Sequence, residues 1–136
     1  MKPFEVFEHT ADVGGRIYGK DIKELFINTA KLLYFLAGAK QYERIEKVIN
    51  IELSSETIEE LLVKFLNELI YYMDVKKIGG KIKKLYIKKK GKMLGIHCEM
   101  TGKKISVKRE IKAATYHNLK VKKEKDIFSS EIIFDV

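Results

Sequence analysis

The sequence has few of the residues that stabilise small secreted domains or build zinc sites. It contains one cysteine, Cys98, one proline, Pro3, and no tryptophan. A single thiol cannot form an internal disulfide, and Cys98 has no second ligand at a zinc-site spacing. No secretory leader is recognisable, and no apolar run approaches the ~18 residues of a membrane helix. We therefore expect a cytoplasmic protein that does not enter a membrane.

The short motifs of common enzymes are also missing. The sequence has no Gly-x-Ser-x-Gly turn, phosphate-binding loop, dinucleotide fingerprint or zincin helix. Its three histidines are His9, His97 and His117, and none stands at a metal-site spacing from another histidine or from the cysteine. Because no nucleophile is accompanied by a base, we predict that the protein is not an enzyme.

The charge of the chain is strongly positive. Lys and Arg number 27 against 19 Asp and Glu, which gives a formal net charge of +8. Many of the lysines alternate with apolar residues in the C-terminal half, as between Lys81 and Lys92. One interpretation is a basic surface that binds RNA or an acidic protein. The other is the solvated side of a β-sheet, where lysines also protect edge strands.

Two amphipathic helices are predicted within one domain that spans residues 1–136. Asp21 and Glu24 form a capping pair for the first helix, which ends at Gly38. Thr57 caps the second helix, in which apolar residues recur at i, i+3, i+4 and i+7 from 58 to 73. With 46% hydrophobic residues, the chain is long enough to bury a single core.

The remaining segments predict strands joined by short turns. Turns are expected at 91–92, 101–103 and 125–126, where glycine or polar residues cluster. The predicted strands are 4–8, 13–19, 42–53, 82–89, 93–100, 105–115, 118–124 and 127–135. This order favours the α+β class, with a curved, mostly antiparallel or mixed sheet and two helices packed on one face.

Two carboxylates stand in unusual surroundings. Asp12 interrupts an apolar segment and is followed by Gly14 and Gly15, while Asp135 ends the alternating tail 132–136 beside the terminal carboxylate of Val136. If the first and last strands are neighbours, three oxygen donors with a charge of about −3 meet. Such a cluster repels itself unless a hard cation or a basic partner neutralises it.

Each carboxylate also has a simpler interpretation. Asp12 could accept hydrogen bonds from the amides of Gly14 and Gly15 in a turn, and Asp135 could be a solvated tail residue. The apolar residues at 132–134 argue instead that the tail is held in place. Oxygen ligands suit a divalent cation, with calcium preferred and magnesium or manganese as alternatives. Zinc would require more nitrogen or sulfur.

Three basic or aromatic-ring side chains are candidates for contacts with a partner or a phosphate. They are His9, close to Asp12 in sequence, Lys112, which precedes two alanines, and His117. Each has an ordinary structural alternative, since histidines often pack or form hydrogen bonds and Lys112 could protect a sheet edge.

Four stretches together resemble the archease family. They are His-Thr-Ala-Asp-Val-Gly at 9–14, the helical segment 61–71, the segment Ile-Lys-Ala-Ala-Thr-Tyr-His-Asn-Leu at 111–119, and the closing Ile-Phe-Asp-Val at 133–136. They occur in the family's order over nearly the whole chain, and their combination is more specific than any one of them. The Lys-rich stretch from Met100 to Arg109 differs from the longer acidic loop of many relatives.

The resemblance implies a non-catalytic activator of the RtcB-type RNA ligase of tRNA splicing. Such an activator promotes guanylylation of the ligase, supports multiple turnovers and broadens the use of nucleoside triphosphates. The family's metal site, carried over to this sequence, falls on Asp12 and Asp135 with a contribution from Val136. The RNA itself would be contacted only indirectly, or directly through the basic face. The alternative is a basic RNA- or protein-binding module, a chaperone or modulator of nucleic-acid-processing proteins.

Overall fold

The computed structural model describes residues 2–8, 12–42, 46–116 and 118–136, and within them the chain forms two α-helices and two antiparallel sheets. The helices are α1 (Ile22–Ala37) and α2 (Ile58–Tyr71), and a π-helical turn (Tyr72–Lys76) follows α2. The strands are β1 (Phe4–Glu8), β2 (Asp12–Gly19), β3 (Lys40–Gln41), β4 (Lys47–Ser55), β5 (Ile78–Lys90), β6 (Met93–Ser106), β7 (Ala113–Thr115), β8 (Lys122–Glu124) and β9 (Ile127–Asp135).

The predicted α+β class is confirmed, but the strands form two sheets instead of one. In the first sheet β9 is central, with β2 along one edge and β7 and β8 each pairing a different part of the strand. In the second sheet β6 is central and pairs with β5, β4 and β3. Among the described residues, β9 pairs only with strands of the first sheet and β6 only with strands of the second, so the two sheets are separate.

The two helices connect the sheets through one core. Helix α1 contacts β1, β2 and β9 of the first sheet and β5 of the second, and α2 contacts β7 of the first sheet and β4 and β6 of the second. A ring pair, Phe26 with Phe65, joins the helices at a centroid distance of 5.7 Å. Both residues are fully buried, and a single hydrophobic cluster contains side chains from both helices and both sheets.

Local sequence signals set the helix ends as predicted. The Asp21 side chain accepts a hydrogen bond from the Glu24 amide at 2.7 Å, and the Thr57 hydroxyl accepts one from the Glu60 amide at 3.1 Å. These contacts satisfy amides that the first helical turn leaves without partners. Helix α1 ends at Gly38, whose φ of 63° is in the left-handed region that glycine adopts without strain.

The predicted turn at 101–103 is wrong, because β6 runs through these residues. Gly102 is buried inside the strand, and a Cβ there would lie 2.5 Å from Ile78 Cγ2 and 3.0 Å from Ile49 Cδ1. The glycine therefore serves close packing beneath neighbouring side chains and not a change of chain direction. The turns predicted at 91–92 and 125–126 are present.

The predicted strand 105–115 is also wrong over most of its length. Residues 107–112 lie outside any strand, and the amides of Lys108 and Arg109 both donate to the carbonyl of Ala37 at the end of α1. Only residues 113–115 re-enter a sheet, as β7. Part of the strand predicted at 42–53 lies outside the described residues, and its described portion begins at Lys47. In the described part of the chain, no helix has the length and apolar character needed to cross a membrane.

Candidate functional site

The candidate site lies where the start of β2 meets the end of β9. Asp12 is the first residue of β2, and it stands directly opposite Asp135, the last residue of β9. On the other side of β9, Ala113 stands opposite Asp135, and the Lys112 amide donates to the Asp135 carbonyl at 2.8 Å. The last strand therefore pairs with β2 and not with β1, and this pairing brings the two predicted carboxylates together.

Strand alternation places both carboxylates on the outer face of the sheet. Val13 and Phe134 also stand opposite each other, one step further along each strand, and both are almost completely buried. Because successive side chains point to opposite faces, Asp12 and Asp135 lie on the face turned away from this core. The buried pair thus fixes the register that aligns the carboxylates.

The donor set fits a hard cation. Asp12 is partly buried, and its Oδ1 atom is inaccessible to solvent and has no hydrogen-bond partner among the described residues. An unpaired buried carboxylate oxygen is costly, and like charges directly opposite each other on a sheet destabilise the pair. A divalent cation that binds oxygen, such as calcium, would satisfy both conditions at once.

The end of the chain is held close to this pair. Val136 is half-buried and packs against the core, so the residue that follows Asp135 is fixed. Within the described ranges, no three side chains of His, Cys, Asp or Glu form a cluster able to hold an ion. Among the residues that the structure describes, the ligands available here are the two aspartates and, as the predicted third donor, the terminal carboxylate of Val136.

Of the other three predicted site residues, the structure describes Lys112 and does not describe the two histidines. Lys112 is exposed, and its backbone amide is the group that contacts Asp135. His9 and His117 lie outside the described residues. The alternative prediction, a turn in which Asp12 accepts from the amides of Gly14 and Gly15, is wrong, because both glycines are inside strand β2. A Cβ on Gly15 would approach Leu32 Cδ1 of α1 to 2.9 Å, so this glycine permits the helix to pack closely.

Two residues that position the site were missed at the level of sequence. Asn67 of α2 accepts a hydrogen bond from the Ala114 amide at 2.8 Å, and Glu59 accepts one from the Val121 amide at 2.9 Å. Both belong to the polar side of α2, which amphipathicity alone assigns to solvent. They attach the segment around β7 to the helix, and β7 in turn pairs with the end of β9 that carries Asp135.

Two ion pairs involve residues on or next to the same sheet. Arg109 Nη1 donates to Glu8 Oε1 at 3.0 Å, at the end of β1. On β2, Arg16 donates to the Glu131 carboxylate, whose hydrogen bond and charge raise the pKa of the Arg16 guanidinium. Among the described residues, the two arginines are thus paired with Glu131 and Glu8, and neither is paired with Asp12 or Asp135.

Comparison with known proteins gives a consistent result. Residues 4–136 match the model of the Archease protein family (MTH1598/TM1083). Protein archease of Pyrococcus furiosus is 34% identical over 133 residues, and that of Pyrococcus abyssi is 33% identical over 132 residues. Each of these alignments covers 93% of this chain and 92% of the relative.

Two solved structures have the same fold. The solution structure of protein 1598 from Methanobacterium thermoautotrophicum has a TM-score of 0.79 and 30% identity, and the match covers 100% of both chains. The crystal structure of a Thermotoga maritima protein described as an archease and possible chaperone has a TM-score of 0.69 and 30% identity, with 96% and 94% of the chains covered. Since the family match, the relatives and the solved structures all span nearly the whole sequence, the chain belongs to the archease family.

Proposed function

We propose that this protein is a non-catalytic activator of an RtcB-type RNA ligase in tRNA splicing. In this role it promotes guanylylation of the ligase's active-site histidine, supports repeated turnover and widens the nucleotides that the ligase accepts. Family membership over residues 4–136 supports the proposal. The description of the Thermotoga maritima protein as a possible chaperone is consistent with action on another protein. We expect the activity to take place in the cytoplasm.

The observation that carries the proposal is the pairing of Asp12 with Asp135. Two opposed carboxylates, one with a buried oxygen that has no hydrogen-bond partner in the described part of the chain, form a site that favours a bound divalent cation. Asp12, Asp135 and the terminal carboxylate of Val136 would hold calcium, or alternatively magnesium or manganese. When bound, the cation supplies charge neutralisation and orientation at a phosphate, as metal ions do in nucleotidyl transfer.

In the proposed mechanism, the chain presents charged groups to the ligase. The outer face of the sheet presents the carboxylates to the ligase, and Lys112 beside them contacts a phosphate or carboxylate of the complex. His9 and His117 are candidates for further contacts of the same kind. In this proposal the ligase supplies the nucleophile, and this chain contributes positioned charge.

A guanylylation assay tests the role of the site. The ligase is incubated with its guanine nucleotide under single-turnover conditions, alone or with the wild-type protein, Asp12→Asn or Asp135→Asn. We expect the wild type to accelerate guanylylation and each variant to lose roughly 10-fold or more of that stimulation, as is typical when a metal site is damaged. The matched control is Asp126→Asn, an equal charge change in the exposed turn between β8 and β9.

The possible results separate two parts of the proposal. If the wild type does not accelerate the ligase, the activator role is wrong. If the wild type accelerates it and both site variants do so equally well, the carboxylate pair has no part in activation. Removal of the last two residues provides an independent variant, because it deletes Asp135 and displaces the terminal carboxylate while every lysine remains.

A further inference from the structure

The outer face of the second sheet carries an exposed pair of stacked rings. Tyr86 of β5 stands opposite His97 of β6, and their rings stack with centroids 5.0 Å apart and planes inclined by 22°. Glu52 of β4 stands on the other side of His97, and its Oε1 atom lies 2.9 Å from Nδ1, from which it accepts a hydrogen bond when Nδ1 carries the proton. Tyr86 is 47% exposed, and Lys88 Nζ lies 5.1 Å from the centre of its ring.

This ring pair lies in a band of lysines on β5. The stretch 81–92 contains seven lysines and no acidic residue. By strand alternation and register, Lys81, Lys84, Lys88 and Lys90 share the face of the Tyr86 ring, and all four are exposed. The β-bulge between residues 82 and 84 is what brings Lys84 to this face.

A groove of about 570 Å³ runs along the rings and two of these lysines. Its floor includes Gly95, which stands between Ser54 and Lys88. A Cβ on Gly95 would meet nothing closer than Leu53 O at 3.8 Å, so the space above this glycine is open. The groove is thus a shallow channel with an aromatic wall and a cationic rim.

We propose that this face binds single-stranded RNA, with a base stacked on the Tyr86–His97 pair and phosphates held by Lys88 and Lys90. Bases stack on exposed aromatic rings of sheet surfaces, while lysines neutralise the backbone. Glu52 orients His97 so that its ring stays parallel to Tyr86. Glu99 of β6, which lies on the same face as Glu52 and His97, stands opposite Lys84.

An acidic protein segment is the main competitor for the same face, and the ring pair favours RNA over it. Lysines alone would attract any polyanion, but an exposed, oriented pair of stacked rings adds an affinity that only a planar partner exploits. The proposal concerns the free protein and a different sheet from the carboxylate pair. A test of RNA binding to this face can therefore fail or succeed independently of the activator role proposed above.

Binding of a labelled oligouridine of roughly 12 nucleotides, a length within the site sizes of single-strand-binding folds, tests the proposal by fluorescence anisotropy without ligase. We expect Tyr86→Ala to weaken binding by roughly 10-fold, the loss typical of one stacked base, and Tyr86→Phe to retain most of it. The control is Tyr71→Ala on α2, where the side chain is similarly exposed at 44%.

Two further variants separate stacking from charge and from folding. Lys88→Glu with Lys90→Glu should weaken binding and flatten its salt dependence, while Lys23→Glu with Lys31→Glu on α1 makes the same change in net charge and should weaken it less. Gly95→Val fits a strand and the open space above the floor, so it should leave thermal unfolding unchanged and reduce binding by filling the groove.

The binding measurements can support or overturn the RNA-binding proposal. Loss of affinity in Tyr86→Ala and Gly95→Val, with the Tyr71 control unaffected, supports the proposal. Equal affinity for wild type and Tyr86→Ala, equal effects of the two lysine pairs, or tighter binding of duplex than of single-stranded RNA overturns it. Absence of oligouridine binding at low salt overturns it as well, and capture of only acidic peptides by the wild type would assign the face to a protein partner.

Discussion

Removing the charge of Asp12 should change the stability of the fold, and the sign of the change should depend on whether a divalent cation is bound. In the substitution Asp12→Asn, the shape of the side chain at the start of β2 is kept and its charge is removed. Cross-strand neighbours have Cβ atoms about 5 Å apart, at which two like charges repel by about 1 kcal/mol in water-like surroundings and about 3 kcal/mol at an effective dielectric of 20. Because Asp135 is exposed, water screens the pair and the repulsion is close to the lower value.

Without divalent cations, Asp12→Asn should therefore be more stable than the wild type. A gain of about 1 kcal/mol corresponds to a rise in Tm of about 3–5 °C for a domain of this size. With calcium present at about 100 times its Kd, the wild type gains about 2.7 kcal/mol by mass action. The variant lacks a ligand and gains much less, so the order of stability reverses.

Thermal unfolding followed by circular dichroism, in excess chelator and then in calcium, measures both states. Asp126→Asn is the matched control, since Asp126 has a φ of 65° in an exposed turn, a conformation that asparagine also tolerates. Its stability should not depend on calcium differently from that of the wild type. A variant that is less stable than the wild type in chelator, together with a wild-type Tm unaffected by calcium, would refute this reasoning.

Three other predictions test the packing of the fold. Gly102→Ala should lower the free energy of unfolding by about 1–3 kcal/mol in urea, because the added methyl group overpacks the core, whereas Gly95→Ala should be neutral or stabilising. Asn67→Ala should cost about 1 kcal/mol, because the Ala114 amide loses its acceptor, and Asn67→Asp should retain most of the stability. Burial raises the pKa of the Cys98 thiol from 9.0 to about 11, so a thiol reagent should modify it only after unfolding. Since the folded pKa is the higher one, the contribution of Cys98 to stability is complete below pH 9 and is lost as the pH rises through about 11, a loss that Cys98→Ala should not show.

Local signals explain why the helices and the class could be predicted. The capping pairs at Asp21 and Thr57 act over three residues, and the 3.6-residue period of α2 follows from one buried face. Gly102 was misassigned for the opposite reason. Its role depends on Ile49 and Ile78, which approach it from two neighbouring strands, and no pattern within a few residues reveals such a contact.

The division into two sheets could not be obtained from the sequence for a related reason. Alternation identifies a strand and its buried side, but it does not say which strand is its neighbour. The approach of Asp12 to Asp135 was predicted only on the condition that the strands bearing them pair, and the structure supplies that pairing through β2 and β9. The attachment of β7 to α2 by Asn67 likewise joins segments distant in sequence.

The central claim is that Asp12, Asp135 and the terminal carboxylate of Val136 hold one divalent cation. The most direct measurement is a crystal structure of the protein grown with calcium, with an anomalous difference map to locate the ion. The account predicts one peak with an oxygen of each group within about 2.6 Å, the usual calcium–oxygen range. A map without a peak between these carboxylates, at a calcium concentration that raises the Tm, would contradict it.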